Sequence, residues 1–320
     1  MSLVLVDSLH MVSLEDSVAA FVMFTLCVSG LFVSSLAILF VRRTKALRNV
    51  FGSLCLSHAV ADIGVLLIIL LYAVPVTLLP KTFVASRFVE TISPRIGQLG
   101  ILLWNVCVYS HLLIAGNRFV AICFPLRFQA VPQRSFFVVA VEGCVWCFGV
   151  AHSIPYSWPQ CGFTYNPRSH LWDFAPNACG GALMFVDFIE GLSCVSAIVA
   201  LDLVTFFKIR CAKPFAGSWS QAENRRRNRQ QIIFFVQGCC QGSLFIAKLL
   251  SFYFFSNWNA DRWYLFATTS VAWQLSHVLD GVVLLVFNPE FRRRFRKTLK
   301  VRQVAGANVA SSSHITSTLR

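Results

Sequence analysis

Charged side chains that stand alone inside long apolar stretches are the residues of this sequence most able to carry chemistry. Asp62, Arg118, Asp187, Glu190 and Lys248 each lie in or at the end of such a stretch. Charges within a membrane need partners and often mark functional sites. Structural explanations compete, because an arginine at a membrane edge can snorkel and a lone aspartate can stay protonated. We expect Lys248 to form a salt bridge with Asp187 or Glu190, in preference to a ligand contact, since all three lie at a similar depth.

Catalytic patterns are absent from this sequence. Serine, histidine and acidic residues occur without the turn motif that exposes a nucleophilic serine, and no spacing of cysteine and histidine suits zinc. The sequence therefore predicts a protein that is not an enzyme.

The composition indicates a membrane protein. Of the 320 residues, 56% are hydrophobic and 13% are charged, and 30 are phenylalanine. The mean hydropathy of +0.65 is higher than a soluble core requires. Most of the 12 cysteines lie in apolar runs, where a thiol usually acts as a small hydrophobic group. The net charge of +14 is divided among the segments between apolar runs, which excludes a nucleic-acid partner.

Seven apolar segments, bounded by charges and turn residues, are each long enough to cross a bilayer. They lie at about 17–41, 51–74, 96–122, 135–154, 183–207, 230–255 and 264–287. With the N-terminus outside, 22 of the 28 lysines and arginines fall in cytoplasmic segments and 5 in outer loops, as the positive-inside rule requires. The sequence thus predicts an all-α membrane protein, with an extracellular N-terminus at 1–16 and a seven-transmembrane helix bundle at 17–287.

A short amphipathic helix is predicted at 288–301, on the cytoplasmic surface after the seventh span. Asn288 suits the N-cap and Pro289 the first helical position. Three apolar residues recur at helical spacing among basic ones: Phe291, Phe295 and Leu299. Such helices also bind calmodulin, but the position directly after a span favours the membrane surface. The tail at 302–320 is rich in serine and threonine, and we expect it to be disordered.

The segment Ala115-Gly-Asn-Arg-Phe-Val-Ala-Ile-Cys-Phe-Pro-Leu126 resembles the Asp-Arg-Tyr region of rhodopsin-like G-protein-coupled receptors. The Asn-Arg-Phe form, followed by Phe-Pro, is most similar to the nematode serpentine chemoreceptors, class X in particular. In such receptors the arginine lies at the inner mouth of the bundle, where a G protein docks. The resemblance therefore implies that the residues for G-protein coupling are Asn117, Arg118, Phe119 and Pro125.

Arg118 lacks an evident acidic partner in the sequence. Asn117 beside it is neutral, and the base of the sixth helix has four arginines and only Glu223 as an acid nearby: Arg225, Arg226, Arg227 and Arg229. We therefore expect a weak ionic restraint on Arg118 and noticeable basal signalling.

The segment Leu56-Ser-His-Ala-Val-Ala-Asp62 resembles the second-helix signature of the same receptors, in which an aspartate lies at mid-membrane. Counting back from the surface helix in the family register places Asp280 in a matching position of the seventh helix. Two carboxylates that face one another in low dielectric cannot both stay charged unless a cation or a proton lies between them. The resemblance therefore implies a Na⁺ or proton site at Asp62 and Asp280, and we expect no other cofactor.

A ligand pocket is expected in the outer half of the bundle. Aromatic stripes are more often packing than a ligand cage, but the charges nearby favour a pocket lined by Trp104, Asn105, Tyr109, Asp187, Glu190, Lys248, Phe252 and Trp273. Gly100 occupies the slot where amine receptors have an aspartate, so the resemblance disfavours a monoamine ligand.

Cys161 and Cys179 share one long polar loop. Most rhodopsin-like receptors tie this loop to the top of the third helix, but the matching position here is Ser93. We therefore expect a disulfide between Cys161 and Cys179. The Cys-x-Phe-x-Tyr pattern in the loop again resembles class X chemoreceptors.

The resemblance implies a chemosensory receptor in the plasma membrane of a sensory cell, with the N-terminus outside. It would bind a small-molecule ligand from outside and activate a heterotrimeric G protein, with arrestin and a receptor kinase as candidate partners at the tail. A peptide or neuropeptide receptor of the same fold is an alternative. A seven-helix channel or transporter has less support, because the sequence has no internal repeat and no clear line of polar residues through the bundle.

Overall fold

Seven long helices make up most of the computed structural model, which describes residues 13–44, 47, 49–80, 86–130, 135–211 and 221–295. All seven are long and apolar enough to cross a membrane, which confirms the predicted fold class. They are α1 (Leu14–Arg43), α2 (Val50–Leu78), α3 (Arg87–Cys123), α4 (Ser135–Ser153), α5 (Ala178–Cys211), α6 (Gln221–Tyr253) and α7 (Arg262–Phe287).

Most helices begin or end beyond the apolar segment that predicts them. Helix α3 begins at Arg87, well before the predicted start near residue 96, and it contains Pro94. Charges delimit the part of a helix that lies in lipid, but water can solvate a helix that continues past it. N-capping residues mark where two of the helices begin. The Ser13 side chain accepts from Asp16 N of α1 at 3.0 Å, and Asp261 Oδ1 accepts from Tyr264 N of α7 at 2.9 Å.

The hydrophobic core lies mainly among α1, α2, α3 and α7. Helices α1 and α7 approach closely at Gly281, where an added Cβ would lie 2.6 Å from Ser34 Oγ. The outer faces of the helices remain apolar, with Phe136 84% exposed and Phe21 and Leu71 each 70% exposed. So large an apolar surface is suited to lipid rather than to water.

The helix after α7 begins as predicted. Asn288 Oδ1 accepts from the backbone N–H groups of Glu290 and Phe291 at 2.9 and 3.2 Å, which makes Asn288 the N-cap. The Phe291 ring meets the Phe40 ring of α1 edge-on, with centroids 5.4 Å apart. The helix is described over 289–295. Its predicted continuation to residue 301 and the tail at 302–320 lie outside the described residues.

A β-hairpin between α4 and α5 covers one end of the bundle. Strand β1 (Phe163–Asn166) pairs antiparallel with β2 (Leu171–Phe174), with Phe163 opposite Phe174. Its apolar side is buried: Phe163, Tyr165, Trp172 and Phe174. The hairpin was not predicted, although the alternation of these residues is typical of strands. We name this the hairpin end of the bundle and the other the Arg118 end.

Candidate functional site

At the Arg118 end, one buried guanidinium connects three helices. Arg118 of α3 is 3% exposed. Its Nη2 donates to Asp202 Oδ1 of α5 at 3.0 Å, and its Nη1 donates to the Phe234 carbonyl of α6 at 3.3 Å. Gly238 of α6 makes room for it, because a Cβ there would overlap the guanidinium. Arg118 therefore holds α3 against α5 through one ion pair and against α6 through one hydrogen bond.

The expectation that Arg118 lacks an acidic partner is wrong. Asp202 provides one from α5, 84 positions along the chain. A lone acid near the end of the fifth apolar segment, Asp202, was the sequence signal for this partner, which lies on neither α3 nor the base of α6. The side chains of Glu223 and of the arginines at 225–227 lie outside the described part of the structure.

The other predicted coupling residues surround this arginine. Asn117 is half-buried beside it. The Phe119 ring meets the Phe124 ring edge-on, with centroids 5.7 Å apart. Helix α3 ends at Cys123, and Pro125 begins the short helix Pro125–Ala130, as the proline predicts.

In the middle of the bundle, Asp62 and Asp280 lie in one buried cluster with three histidines. Asp62 Oδ1 lies 2.7 Å from His277 Nδ1, and its Oδ2 lies 3.4 Å from His58 Nε2. Asp280 Oδ2 lies 3.5 Å from the same His58 nitrogen and 3.9 Å from His111 Nε2. Helices α2, α3 and α7 therefore each contribute an imidazole, and α2 and α7 also contribute a carboxylate.

The structure thus brings the two predicted acids together and adds imidazoles between them. The predicted Na⁺ site remains a prediction. His58 lies four residues before Asp62 and His277 three residues before Asp280, which are the spacings of neighbours on one helix face. That spacing was the sequence signal for His58 and His277, whereas nothing near His111 in the sequence indicated its place in the cluster.

A small cavity adjoins this cluster. It is lined by His58, Trp104, Cys107, Val108, His111, Phe245, Ser276, His277 and Asp280, and about 10 Å³ of it is open to the centre of a water molecule. That is about the space of one water.

Nearer the hairpin end, the acids of α5 are paired with a histidine of α4. His152 Nε2 lies 2.7 Å from Asp187 Oδ1, and His152 Nδ1 lies 2.8 Å from Glu190 Oε2. The Tyr109 hydroxyl of α3 donates to Glu190 Oε1. The predicted salt bridge of Lys248 with Asp187 or Glu190 is therefore wrong, because His152 occupies the place expected for Lys248.

Lys248 instead lies over aromatic rings. Its Nζ is 3.2 Å from the centroid of the Trp104 ring and 5.6 Å from that of Phe252. Such contacts stabilise a cation in a partly dry site. Within the described residues, no carboxylate lies within 4.0 Å of this ammonium.

The remaining predicted ligand residues have structural contacts. Asn105 is buried and its Nδ2 donates to the Ile101 carbonyl of the same helix at 3.0 Å. Trp273 is buried below the hairpin, with its ring centroid 5.9 Å from that of Trp172. The predicted set therefore divides between the Lys248 site, the His152 cluster and the layer below the hairpin, while Asn105 bonds within α3.

The hairpin is attached at several points. The predicted disulfide between Cys161 and Cys179 is present and connects it to the start of α5. His170 Nε2 lies 2.9 Å from Asp16 Oδ1 of α1, and Arg262 of α7 contacts both residues. Burial lowers the pKa of His170 below its usual value, with the Arg262 charge in the same direction and the Asp16 hydrogen bond opposing it.

Comparison with known proteins agrees with this architecture. The family described as the serpentine type 7TM GPCR chemoreceptor Srx matches residues 24–288. Two similar proteins come from Caenorhabditis elegans. Serpentine receptor class X 45 is 25% identical over 301 residues, which cover 88% of this chain and 81% of that protein. Serpentine receptor class X-43 is 29% identical over 291 residues, which cover 90% of this chain and 89% of that protein.

Proposed function

This chain belongs to the serpentine class X (Srx) family of seven-transmembrane chemoreceptors, and from that premise we propose that it binds a small-molecule ligand outside the cell and activates a heterotrimeric G protein within. The hairpin end then faces outward and the Arg118 end faces the cytoplasm of a sensory cell, with the receptor in the plasma membrane. A cleft of about 280 Å³ at the Arg118 end supports this orientation, because basic residues are typical of the cytoplasmic side. The cleft is lined by Arg229, Ile233, Pro289, Arg292 and Arg293.

The observation that carries the proposal is the bonding of Arg118 to Asp202 and to the Phe234 carbonyl. These bonds hold α5 and α6 against α3, so they favour a closed Arg118 end. Movement of α6 away from α3 would break the bond to Phe234 and expose the guanidinium to a G protein. A ligand can drive this change only by binding the open arrangement more tightly than the closed one.

The surroundings of Lys248 favour a ligand that carries an acidic group. The Lys248 ammonium lies 3.2 Å from the centroid of the Trp104 ring and 5.6 Å from that of the Phe252 ring. A carboxylate on the ligand would give this cation a charged partner in a region of low dielectric. The apolar side of the hairpin is buried over this end of the bundle, and this cover favours a small molecule over the alternative, a peptide.

Basal G-protein activation tests the role of Arg118. We expect Asp202→Asn to raise it several-fold, because the amide no longer holds the guanidinium as an ion pair. Arg118→Ala should abolish activation, since it removes the group that would meet the G protein. Both variants are compared with wild type at equal amounts in lipid nanodiscs, by nucleotide exchange on purified G proteins. Normal activation by Arg118→Ala would refute the proposed coupling.

Lys248 is tested with a panel of small carboxylic acids and their methyl esters. We expect acids that activate the wild type to lose at least about tenfold in potency with Lys248→Met, while Lys248→Arg retains most of it. Selective activation by the esters would refute the acidic ligand while leaving the G-protein proposal intact. The predicted roles of arrestin and a receptor kinase remain predictions.

A further inference from the structure

The His58, His111 and Asp280 side chains form a triad that hydrogen bonding does not explain. Their ligating atoms come from α2, α3 and α7 and are buried. The Asp280 oxygen lies 3.5 Å from the His58 nitrogen and 3.9 Å from the His111 nitrogen. Hydrogen bonds between nitrogen and oxygen are about 2.7–3.2 Å long, so these contacts are too long for good ones.

Several polar atoms of the same cluster have no hydrogen-bond partner within the described residues. They are both ring nitrogens of His58, His277 Nε2 and Asp280 Oδ1. Buried polar atoms are normally paired, because an unpaired one keeps the cost of leaving water. Some further group is therefore expected to bind here.

The spacing of the triad suits a metal ion. Ligands at about 2.0–2.1 Å in a tetrahedron are separated from one another by about 3.3 Å. The two measured separations exceed this by about 0.2 and 0.6 Å, and all three ligating atoms lie within 4.8 Å of one another. Side-chain rotations can close these gaps. The adjacent cavity has space for about one water, which would complete a four-coordinate site.

The charges of the cluster also suit a dication. Asp280 is within the triad, and Asp62 lies 3.4 Å from the same His58 nitrogen. Two carboxylates together balance a charge of +2, which matters in an interior of low dielectric. A monovalent ion such as Na⁺ would balance only one of them, and it prefers oxygen to imidazole nitrogen.

We propose that His58, His111 and Asp280 bind a Zn²⁺ ion, with a water in the cavity as the fourth ligand. Imidazole and carboxylate are ordinary zinc ligands, and the filled d shell of zinc tolerates distortion from an ideal tetrahedron. The ion would join α2, α3 and α7 in the present arrangement and stabilise it. The proposal concerns metal binding alone and does not depend on the proposed receptor function.

Zinc binding is tested on the full chain purified in detergent, stripped with a chelator and then dialysed. After ZnCl₂ is added back and the unbound ion is removed, we expect one zinc per chain by elemental analysis. The unfolding temperature of the stripped protein should rise with ZnCl₂ concentration. X-ray absorption should show two imidazole nitrogens at about 2.0–2.1 Å from the ion. His111→Gln should weaken zinc affinity at least about 100-fold.

His152→Gln is the matched control, because it removes a histidine from the other buried cluster and leaves the triad intact. It should retain wild-type zinc affinity. Zinc binding lost in His152→Gln but kept in His111→Gln would overturn the proposal, as would no bound zinc, or stabilisation by NaCl instead. If His111→Gln does not fold, the X-ray absorption spectrum of the wild type provides the test. A zinc coordination shell without two imidazole nitrogens would also overturn the proposal.

Discussion

Two polar clusters buried in the same bundle differ in how completely their groups are paired. In the His152 cluster, one imidazole contacts Asp187 and Glu190 at 2.7 and 2.8 Å. In the triad of His58, His111 and Asp280, the corresponding distances are 3.5 and 3.9 Å. A fully paired network rigidifies the fold, whereas a partly paired one costs stability until something binds to it. The difference therefore distinguishes a structural cluster from one arranged for a ligand.

The largest effect is expected from breaking the paired cluster. His152→Ala leaves Asp187 and Glu190 without their shared imidazole, which should lower the free energy of unfolding by about 3–5 kcal/mol. Chemical denaturation of the purified protein in detergent measures it. With the metal removed, His111→Gln should cost less than about 1.5 kcal/mol, because no good hydrogen bond is lost. Equal losses in the two variants would contradict the distinction between the clusters.

A smaller change sharpens the same comparison. Tyr109→Phe removes the hydroxyl that donates to Glu190 and should cost about 1.5–3 kcal/mol, because hydrogen bonds to charged groups are the stronger ones. Tyr264→Phe is the control, since its hydroxyl donates to the Phe255 carbonyl at an exposed position. The control should lose less than about 1 kcal/mol by the same measurement. An equal loss in both would mean that the charge on Glu190 adds nothing.

The smallest effect concerns the hairpin, where His170 is buried against Asp16 and Arg262. The pKa of His170 is lowered from 6.5 in the folded protein, so the unfolded chain binds the proton more readily. The contribution of His170 to the free energy of unfolding is therefore fully present above pH 6.5. It is lost as the pH falls below 6.5, by at most about 1.4 kcal/mol per pH unit. Asp16, Glu15 and Arg262 surround this histidine and set the balance.

Hydrogen exchange of the hairpin amides at pH 7.5 and 5.5 measures this loss. His170→Asn should reduce the difference between the two pH values, because an amide does not titrate. Asparagine also tolerates the left-handed backbone at this position, where φ is 59°. An unchanged pH dependence in His170→Asn would assign the effect to another group.

The sequence by itself determined the fold class and several local features. Seven apolar segments of membrane length predict seven spans, because the length of a span follows from the thickness of the bilayer. The Asn288 cap depends on residues within one turn. The disulfide of Cys161 and Cys179 depends on two cysteines of one loop. Each of these needs only neighbours along the chain.

The tertiary structure alone decided which charges meet. Asp187, Glu190 and Lys248 were predicted to lie at one depth, yet His152 pairs with the acids and Lys248 lies over Trp104. Depth follows from the rise of 1.5 Å per residue, but the face that a side chain presents depends on how each helix is rotated about its axis. That rotation is set by packing among all seven helices. It also brings His58, His111 and Asp280 together from three helices, where no spacing along the chain indicates a zinc site.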